Sequence, residues 1–219
     1  PILDHYLGWL RREVERAGVT IELGRPVDAD AIPSDVDAIV VATGARWGIP
    51  EVPVDADARV LALADRWHGA ADGRLSVSLA PRFILSCSEG LWRDVTAASR
   101  ARGLLVHTHL AEAPTEGAEV KAAVGSHAAP YFEAHGFLHE RFVGAHGVWL
   151  DEGELALMKR ADAALVHCPG SNLKLGSGLA DVKAWRRHGI RCALGSDGAA
   201  CNNRLDTFHE LSLAAGIAR

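Results

Sequence analysis

From about residue 60 onward, short apolar runs alternate with longer stretches in which apolar residues recur every three or four positions. The short runs predict buried strands, and the longer stretches predict amphipathic helices. Strands that alternate with helices indicate an α/β fold with a parallel sheet. About five such units are visible, fewer than the eight of a closed (β/α)8 barrel. The strands are predicted at Leu75–Leu79, Leu104–His109, Phe142–Ala145, Ala163–His167 and Cys192–Gly195, and the helices at Glu89–Arg102, Glu116–Ala134, Glu152–Ala161, Ala180–His188 and Leu205–Arg219.

The N-terminal part of the chain has a different pattern. An amphipathic stretch predicts a helix, two apolar segments predict strands, and a segment rich in Pro and Asp predicts a linker. We therefore predict two domains, a small α/β piece over residues 1–57 and a partial barrel over residues 58–219. The predicted helix spans Tyr6–Ala17, the strands span Val19–Leu23 and Asp37–Ala42, and the linker spans Gly48–Asp57.

Composition and charge narrow the class of partner. The chain has 219 residues, of which 48% are hydrophobic and 23% charged, as in an ordinary soluble protein. A net charge of -5 without a Lys/Arg cluster argues against a nucleic-acid backbone or an anionic membrane as partner. No apolar run reaches membrane-spanning length, and the N-terminus has no signal-peptide pattern. The four cysteines form no Cys-X-X-Cys pair, which favours a reduced, cytoplasmic setting. We therefore expect a small-molecule partner.

Chemically capable side chains follow nearly every predicted strand. The carboxyl ends of parallel strands meet at one edge of a sheet, and active sites of such sheets lie at that edge. We therefore expect these side chains to belong to one site. They are Pro81 and Arg82, then His109 with Glu112, then His146, then His167, and finally Ser196 with Asp197.

The stretch Val106–Glu112 contains three side chains that can bind a metal or transfer a proton, His107, His109 and Glu112. His107 and His109 are two apart on a predicted strand, so they share a face. Glu112 follows three residues after His109, where the strand gives way to a loop, and its carboxylate can fold back toward His109. Two imidazoles and a carboxylate suit a divalent metal such as zinc. The alternative from this stretch alone is a pair of hydrogen-bonded core histidines with a solvated Glu112.

Other candidates also have structural alternatives. His146 is either a functional group or a core histidine at a strand end. Asp197 stands between Ser196 and Gly198, where an Asp is commonly a turn residue or a helix N-cap. The segment that contains Asn172, Lys174, Gly176 and Gly178 is predicted to be a loop, which either closes on substrate or only connects two elements.

Four motifs resemble one family. They are His-Thr-His-Leu-Ala-Glu from His107, Gly-Ala-His-Gly-Val-Trp-Leu from Gly144, His-Cys-Pro-Gly-Ser-Asn-Leu-Lys-Leu-Gly-Ser-Gly from His167 and Gly-Ser-Asp-Gly-Ala-Ala-Cys-Asn-Asn from Gly195. In this order and spacing, residues from about 60 to 219 resemble the amidohydrolase superfamily. The likeness is to its aminohydrolase branch, which contains methylthioadenosine/adenosylhomocysteine deaminases, guanine deaminases and chlorohydrolases. The resemblance implies a partial amidohydrolase barrel.

The resemblance also implies a function. It makes His109, His146 and Asp197 ligands of one divalent metal, zinc or iron, with Glu112, His146 and Asp197 as catalytic residues. The metal would lower the pKa of its bound water to about 7, and the resulting hydroxide would attack a purine-like or related heterocycle. Glu112 would protonate the ring nitrogen, and Asp197 would move the proton that releases ammonia. Candidate substrate contacts are His107, His167 and Asn172.

One departure from the family pattern leaves alternatives. Members carry a His-X-His on the first barrel strand, well before the motif at His107, and this chain has no such segment, so we predict that the first barrel strands are lacking. The chain is then either an active deaminase or an incomplete, inactive amidohydrolase-like fragment. An open sheet with missing strands exposes apolar edges, which predicts a homo-oligomer.

The N-terminal piece suggests a third alternative. Residues 3–53 resemble part of the nucleotide-binding domain of flavin-dependent NAD(P)H oxidoreductases. The likeness is carried by Leu-Arg-Arg-Glu-Val-Glu-Arg-Ala-Gly-Val and Asp-Ala-Ile-Val-Val-Ala-Thr-Gly-Ala. The Gly-X-Gly-X-X-Gly turn that binds a pyrophosphate is absent from the sequence. A flavin or NAD(P)H oxidoreductase fragment therefore remains a third hypothesis.

Overall fold

The structure is a computed structural model that describes residues 55–217, together with Arg12 and Arg16, which are helical. The chain divides into two compact units, Pro1–Pro50 and Glu51–Arg219, and the elements below belong to the second. The predicted N-terminal strands, and the predicted helix apart from Arg12 and Arg16, lie outside the described residues. The domain boundary after residue 57 and the oxidoreductase resemblance therefore stay predictions.

Five parallel strands form one sheet in the order β1-β2-β3-β4-β5. Each strand is followed by at least one helix, so the expected α/β sheet with crossover helices is confirmed. The central pairing is the longest, with His107 opposite Val143 and His109 opposite Ala145. The strands are β1 Ser78–Leu79, β2 Leu105–Leu110, β3 Phe142–His146, β4 Ala164–His167 and β5 Arg191–Leu194.

Eight α-helices are described within residues 55–217, and most lie where the periodicity predicts them. A short 3-10 helix, Ile84–Ser86, precedes the second of them. No helix among the described residues is long and apolar enough to cross a membrane. The helices are α1 Asp55–Trp67, α2 Glu89–Arg102, α3 Glu116–Val124, α4 Ala128–Ala134, α5 Glu152–Arg160, α6 Pro169–Leu175, α7 Val182–Arg187 and α8 Thr207–Ile217.

Three sequence expectations are wrong. The single helix predicted from Glu116 to Ala134 is two helices, because Gly125 adopts a left-handed φ of 79° and ends α3. The linker predicted through Asp57 ends earlier, because α1 begins at Asp55. The loop predicted around Asn172 is the helix α6, which has Pro169 in its first turn and ends at Gly176 with φ 71°.

The core lies between the sheet and its helices. On β2 the side chains of Val106, Thr108 and Leu110 are buried, whereas His107 and His109 lie on the opposite face, as the alternation predicts. The close packing of the strands requires Gly144, since a Cβ there would lie 2.8 Å from Leu110 Cδ2. Burying each large apolar side chain stabilises the fold by about 1.5–3 kcal/mol. The largest buried side chains are Trp92, Trp185, Phe132, Phe142, Leu104 and Leu110.

Candidate active site

His109 is held at the end of β2 by a main-chain carbonyl. Its Nδ1 lies 2.7 Å from the oxygen of Arg82, and because a carbonyl only accepts, Nδ1 must donate the proton. The same oxygen accepts hydrogen bonds from the His109 amide at 2.9 Å and the Thr108 hydroxyl at 3.1 Å. In the neutral ring, Nε2 then carries the lone pair.

His146 stands at the end of β3 and is 1% exposed. Its backbone has a left-handed φ of 73°, which is uncommon for a residue other than glycine. Its Nδ1 donates to Oδ1 of Asn172 at 2.9 Å, so that in the neutral ring Nε2 again carries the lone pair. Its ring stacks on that of His109 with centroids 5.4 Å apart. Both imidazoles thus donate through Nδ1 and lie at one edge of the sheet.

Glu112 lies in the loop that follows β2. Its Oε2 lies 3.8 Å from Nε2 of His146, and its Oε1 accepts a hydrogen bond from the Ser177 hydroxyl at 3.3 Å. The loop itself is held by the buried carboxylate of Glu116. This carboxylate accepts the amides of Ala111 at 2.8 Å and Glu112 at 2.7 Å. Glu112 therefore faces the strand-end His146, whereas the return toward His109 stays a prediction.

Asp197 occupies the loop after β5 with a left-handed φ of 60°. Its Oδ2 accepts a hydrogen bond from the Ser171 hydroxyl at 2.6 Å, and its Oδ1 accepts the Gly198 amide at 2.6 Å. Partial burial alone would raise its pKa, but the two hydrogen bonds and the charges of His146 and His109 together hold the pKa below its usual value. The side chain is therefore a carboxylate at neutral pH.

Asn172, His107 and His167, the candidate substrate contacts, lie in three different settings. Asn172 is buried beneath His146 and orients its ring. His107 shares the face of His109, and burial, followed by the charges of His109 and His146, lowers its pKa. His167 is 3% exposed and packs edge-on against Trp185, with ring centroids 5.9 Å apart. Contact of any of the three with substrate stays a prediction.

Several residues that build the site were missed from the sequence. Glu116 could have been found, because a carboxyl in the first turn of a helix four residues after Glu112 is a common partner of loop amides. Ser171 and Ser177 could not, because they reach Asp197 and Glu112 from 26 and 65 residues away. The role of the Arg82 carbonyl could not be predicted either, because every residue has a main-chain carbonyl and the sequence does not mark this one.

A second cluster of possible metal donors has a structural explanation. The donor atoms of His127, Asp151 and Glu154 all lie within 4.8 Å of one another. Asp151 and Glu154 form the capping box of α5, in which each side chain accepts the other residue's amide, at 2.8 Å and 3.2 Å. Both carboxylates thus cap the N-terminal end of α5. This cluster stands at a helix N-terminus and includes none of the strand-end residues.

The hydrogen bonds of the strand-end histidines are of the kind that metal-binding histidines make. Histidines that bind metals almost always donate their other ring N–H to a carbonyl or carboxylate, which fixes the ring and its tautomer. His109 and His146 both have this arrangement, through Arg82 and Asn172. The Asp197 carboxylate adds an anionic oxygen, and nitrogen and oxygen donors suit zinc. His109, His146 and Asp197 would hold the ion.

Comparison with known proteins decides the family. The sequence profile of the amidohydrolase family matches residues 3–219. This chain belongs to the amidohydrolase family. It is 40% identical over 212 residues to a 5-methylthioadenosine/S-adenosylhomocysteine deaminase of Halobacterium salinarum, covering 94% of this chain and 44% of that protein. It is 38% identical over 148 residues to a 5'-deoxyadenosine deaminase of Methanothermobacter thermautotrophicus, covering 68% of this chain and 35% of that protein.

Solved structures agree with this assignment. An adenosine deaminase from Xanthomonas campestris with bound zinc superposes with a TM-score of 0.70 at 32% identity, over 74% of this chain and 36% of that one. The expectation of a partial amidohydrolase barrel is thereby confirmed. The chain spans between about a third and a half of the length of the relatives it matches. The family match also includes the N-terminal residues for which an oxidoreductase likeness is predicted.

Proposed function

We propose that the protein is a metal-dependent aminohydrolase that removes the amino group of a purine-like heterocycle as ammonia. One observation carries the proposal: the Nδ1 protons of both His109 and His146 are committed to fixed acceptors, beside two carboxyl groups. Such an arrangement supports a metal site in which the Nε2 atoms are the ligands. His109, His146 and Asp197 would hold one zinc or iron ion. Bound there, the ion would supply a water with a lowered pKa.

The carboxyl groups divide the proton transfers. Hydrolysis adds water to the ring carbon that carries the amino group, breaks the carbon–nitrogen bond and leaves a ring carbonyl with ammonia. Glu112 donates a proton to the adjacent ring nitrogen, so that the carbon accepts the attacking oxygen. Asp197, ionised at neutral pH, accepts the proton of the attacking water and passes it to the leaving amino group. The proton of the added hydroxyl returns to Glu112 as the ring carbonyl forms. Ser177 and Ser171 hold these two carboxyl groups in place.

The class of substrate follows from the relatives. Proteins similar to this chain are named as deaminases of 5'-deoxyadenosine, 5-methylthioadenosine and S-adenosylhomocysteine, and one similar structure is a guanine deaminase with bound guanine. All of these substrates carry an amino group on a purine ring. We therefore take an aminopurine or its nucleoside as the substrate class, with His107, His167 and Asn172 as candidate contacts.

Ammonia release tests the proposal. The zinc-loaded protein is incubated separately with adenosine, 5'-methylthioadenosine, S-adenosylhomocysteine and guanine, and ammonia is measured by a coupled enzyme assay. We expect ammonia from at least one of these compounds, lost on chelation and restored by zinc. A chain that binds zinc but releases no ammonia from any of them would favour the inactive-fragment hypothesis.

Self-association and location belong to the same proposal. Large apolar side chains are exposed on and beside α8, including Leu205 at 63% and Phe208 at 85% exposure, which supports a homo-oligomer. The four cysteines are free thiols, which supports a reducing, cytoplasmic location. Light scattering tests the first statement, and a monodisperse monomer would contradict it. Fractionation of expressing cells tests the second.

A further inference from the structure

Glu210 is a carboxyl group of α8 with no exposed surface. Its Oε2 accepts the amide of Gly170 at 2.8 Å, and its Oε1 accepts the side-chain amide of Asn202 at 2.7 Å. Burying a carboxyl group is costly unless its oxygens receive such hydrogen bonds. Both partners lie in segments that carry site residues, and neither lies on α8 itself. The buried carboxyl therefore joins α8 to two parts of the site.

The first link leads to the loop of Asp197. The side-chain amide of Asn202 also donates to the carbonyl of Ser196 at 2.7 Å. Ser196 immediately precedes Asp197, whose left-handed φ of 60° is an uncommon conformation for an aspartate. Asn202 is itself 6% exposed and bonds the Arg204 amide through its own oxygen at 2.8 Å. Glu210 thus fixes the side chain that fixes the backbone beside Asp197.

The second link leads to α6. Gly170 lies in the first turn of α6, directly before Ser171, which bonds Asp197, and Asn172, which bonds His146. The close approach of Glu210 requires a glycine, because a Cβ at position 170 would lie 2.5 Å from Glu210 Oε1. The same carboxyl therefore holds the helix that orients both a histidine and the aspartate of the site.

We propose that Glu210 is a positioning residue that sets the orientation of Asp197 through Asn202 and, through α6, of both Asp197 and His146. It contacts neither substrate nor metal in this scheme. The inference rests on the proposed function, in which Asp197 and His146 hold the metal. Removing groups that orient metal ligands lowers metal affinity by about 10–100-fold, and an indirect link such as this one belongs at the lower end of that range.

The test compares Glu210→Gln with Ser99→Ala. Glutamine keeps the size of the side chain but places an NH2 group against a donor N–H. Ser99 is the control, since it is 0% exposed and its hydroxyl bonds the Leu104 carbonyl at 2.6 Å, at the amino end of β2 and away from the strand ends that carry the site. Three quantities are measured: the zinc dissociation constant by competition with a chromophoric chelator, the urea midpoint of the metal-free protein, and the amide resonance of Gly198 by NMR.

We expect Glu210→Gln to weaken zinc binding about tenfold and to shift the Gly198 resonance in the metal-free protein, whereas Ser99→Ala does neither although it lowers the urea midpoint. A Glu210→Gln variant with wild-type zinc affinity and an unmoved Gly198 resonance would overturn the proposal. If the wild-type chain binds no zinc, the proposed function fails, and the Gly198 resonance alone still decides the role of Glu210.

A second variant keeps the test decisive if Glu210→Gln does not fold. Asn202→Ala retains Glu210 and its bond to Gly170 but removes the link to the Ser196 carbonyl. We expect this variant to weaken zinc binding several-fold, less than Glu210→Gln, because the link through α6 remains. Wild-type zinc affinity in a folded Asn202→Ala protein would contradict the link to the Asp197 loop.

Discussion

The two acidic residues of the site sit in loops that are built in different ways. The loop of Glu112 is closed by Glu116, whose carboxylate bonds amides only four and five residues earlier in the chain. The loop of Asp197 is held by Ser171, which lies 26 residues before it, and by Asn202 with the help of Glu210. The first loop is a local structure, whereas the second depends on the packing of α6 and α8. A substitution that loosens the packing of α6 or α8 should therefore displace Asp197 more than Glu112.

The largest expected effect is a loss of deamination on substitution of Glu112, which would distinguish its role in proton transfer from the role of Asp197 in metal binding. Glu112→Gln keeps the shape of the side chain but removes the proton that general acid catalysis needs, so deamination should fall by about 10²–10⁴-fold. Zinc affinity should stay within about twofold, because the ligand set is untouched. Steady-state ammonia release and chelator competition measure the two quantities. A large loss of zinc in this variant would mean that Glu112 is a ligand.

A matched pair of serines tests which loop serves the metal. Ser171→Ala removes the hydroxyl that bonds Asp197, and zinc affinity should fall about tenfold. Ser177→Ala removes the hydroxyl that bonds Glu112, and it should lower turnover without changing zinc affinity. Both are measured by chelator competition and ammonia release. Equal losses of zinc affinity in the two variants would remove the distinction between the loops.

The local loop has its own test. Glu116→Gln leaves one of the Ala111 and Glu112 amides facing an NH2 group, and each lost charged hydrogen bond costs about 1.5–3 kcal/mol. Turnover should fall about tenfold as Glu112 loses its position, while zinc affinity is unchanged. The control is Glu119→Gln, an exposed carboxyl on the same helix, for which we expect wild-type turnover. Full turnover in Glu116→Gln would show that the loop holds without it.

The smallest expected effect is in the thiol reactivity of Cys168, which reports how tightly the region around Asp197 is packed. Cys168 precedes α6 and is 4% exposed, and burial, with the charge of Asp197 next in importance, raises its pKa to about 12. The thiolate is the reactive form, so Cys168 should resist a thiol reagent at pH 8, whereas the exposed Cys192 reacts at once. Mass spectrometry after brief labelling identifies the modified residue. Fast labelling of Cys168 in the folded protein would mean that this region opens readily.

The comparison of loops also explains what the sequence could predict. The shared face of His107 and His109 and the return of Glu112 follow from spacing along one strand and one turn. The strand-end positions of His146 and Asp197 follow from the regular alternation of strands and helices. Such positions are set by neighbouring residues along the chain, and they can therefore be predicted from the sequence.

The remaining contacts were hidden for a physical reason. Asn172 meets His146, and Ser171 meets Asp197, only because α6 packs between the ends of β3 and β5. The sequence around α6 is rich in Gly, Ser and Asn, which predicted a loop. Pro169 and Gly176 instead start and end a short helix whose position is set by Glu210, 40 residues beyond Gly170.

The measurement that tests the central claim most directly is the metal content of the purified chain by elemental analysis, with His109→Ala and Asp197→Ala measured alongside. The account predicts about one zinc or iron per chain in the wild type and its loss in both variants, because a site with three protein ligands loses much of its affinity when one is removed. A wild-type chain that takes up no metal after supplementation, or variants that retain it fully, would contradict the assignment of these residues as the metal site.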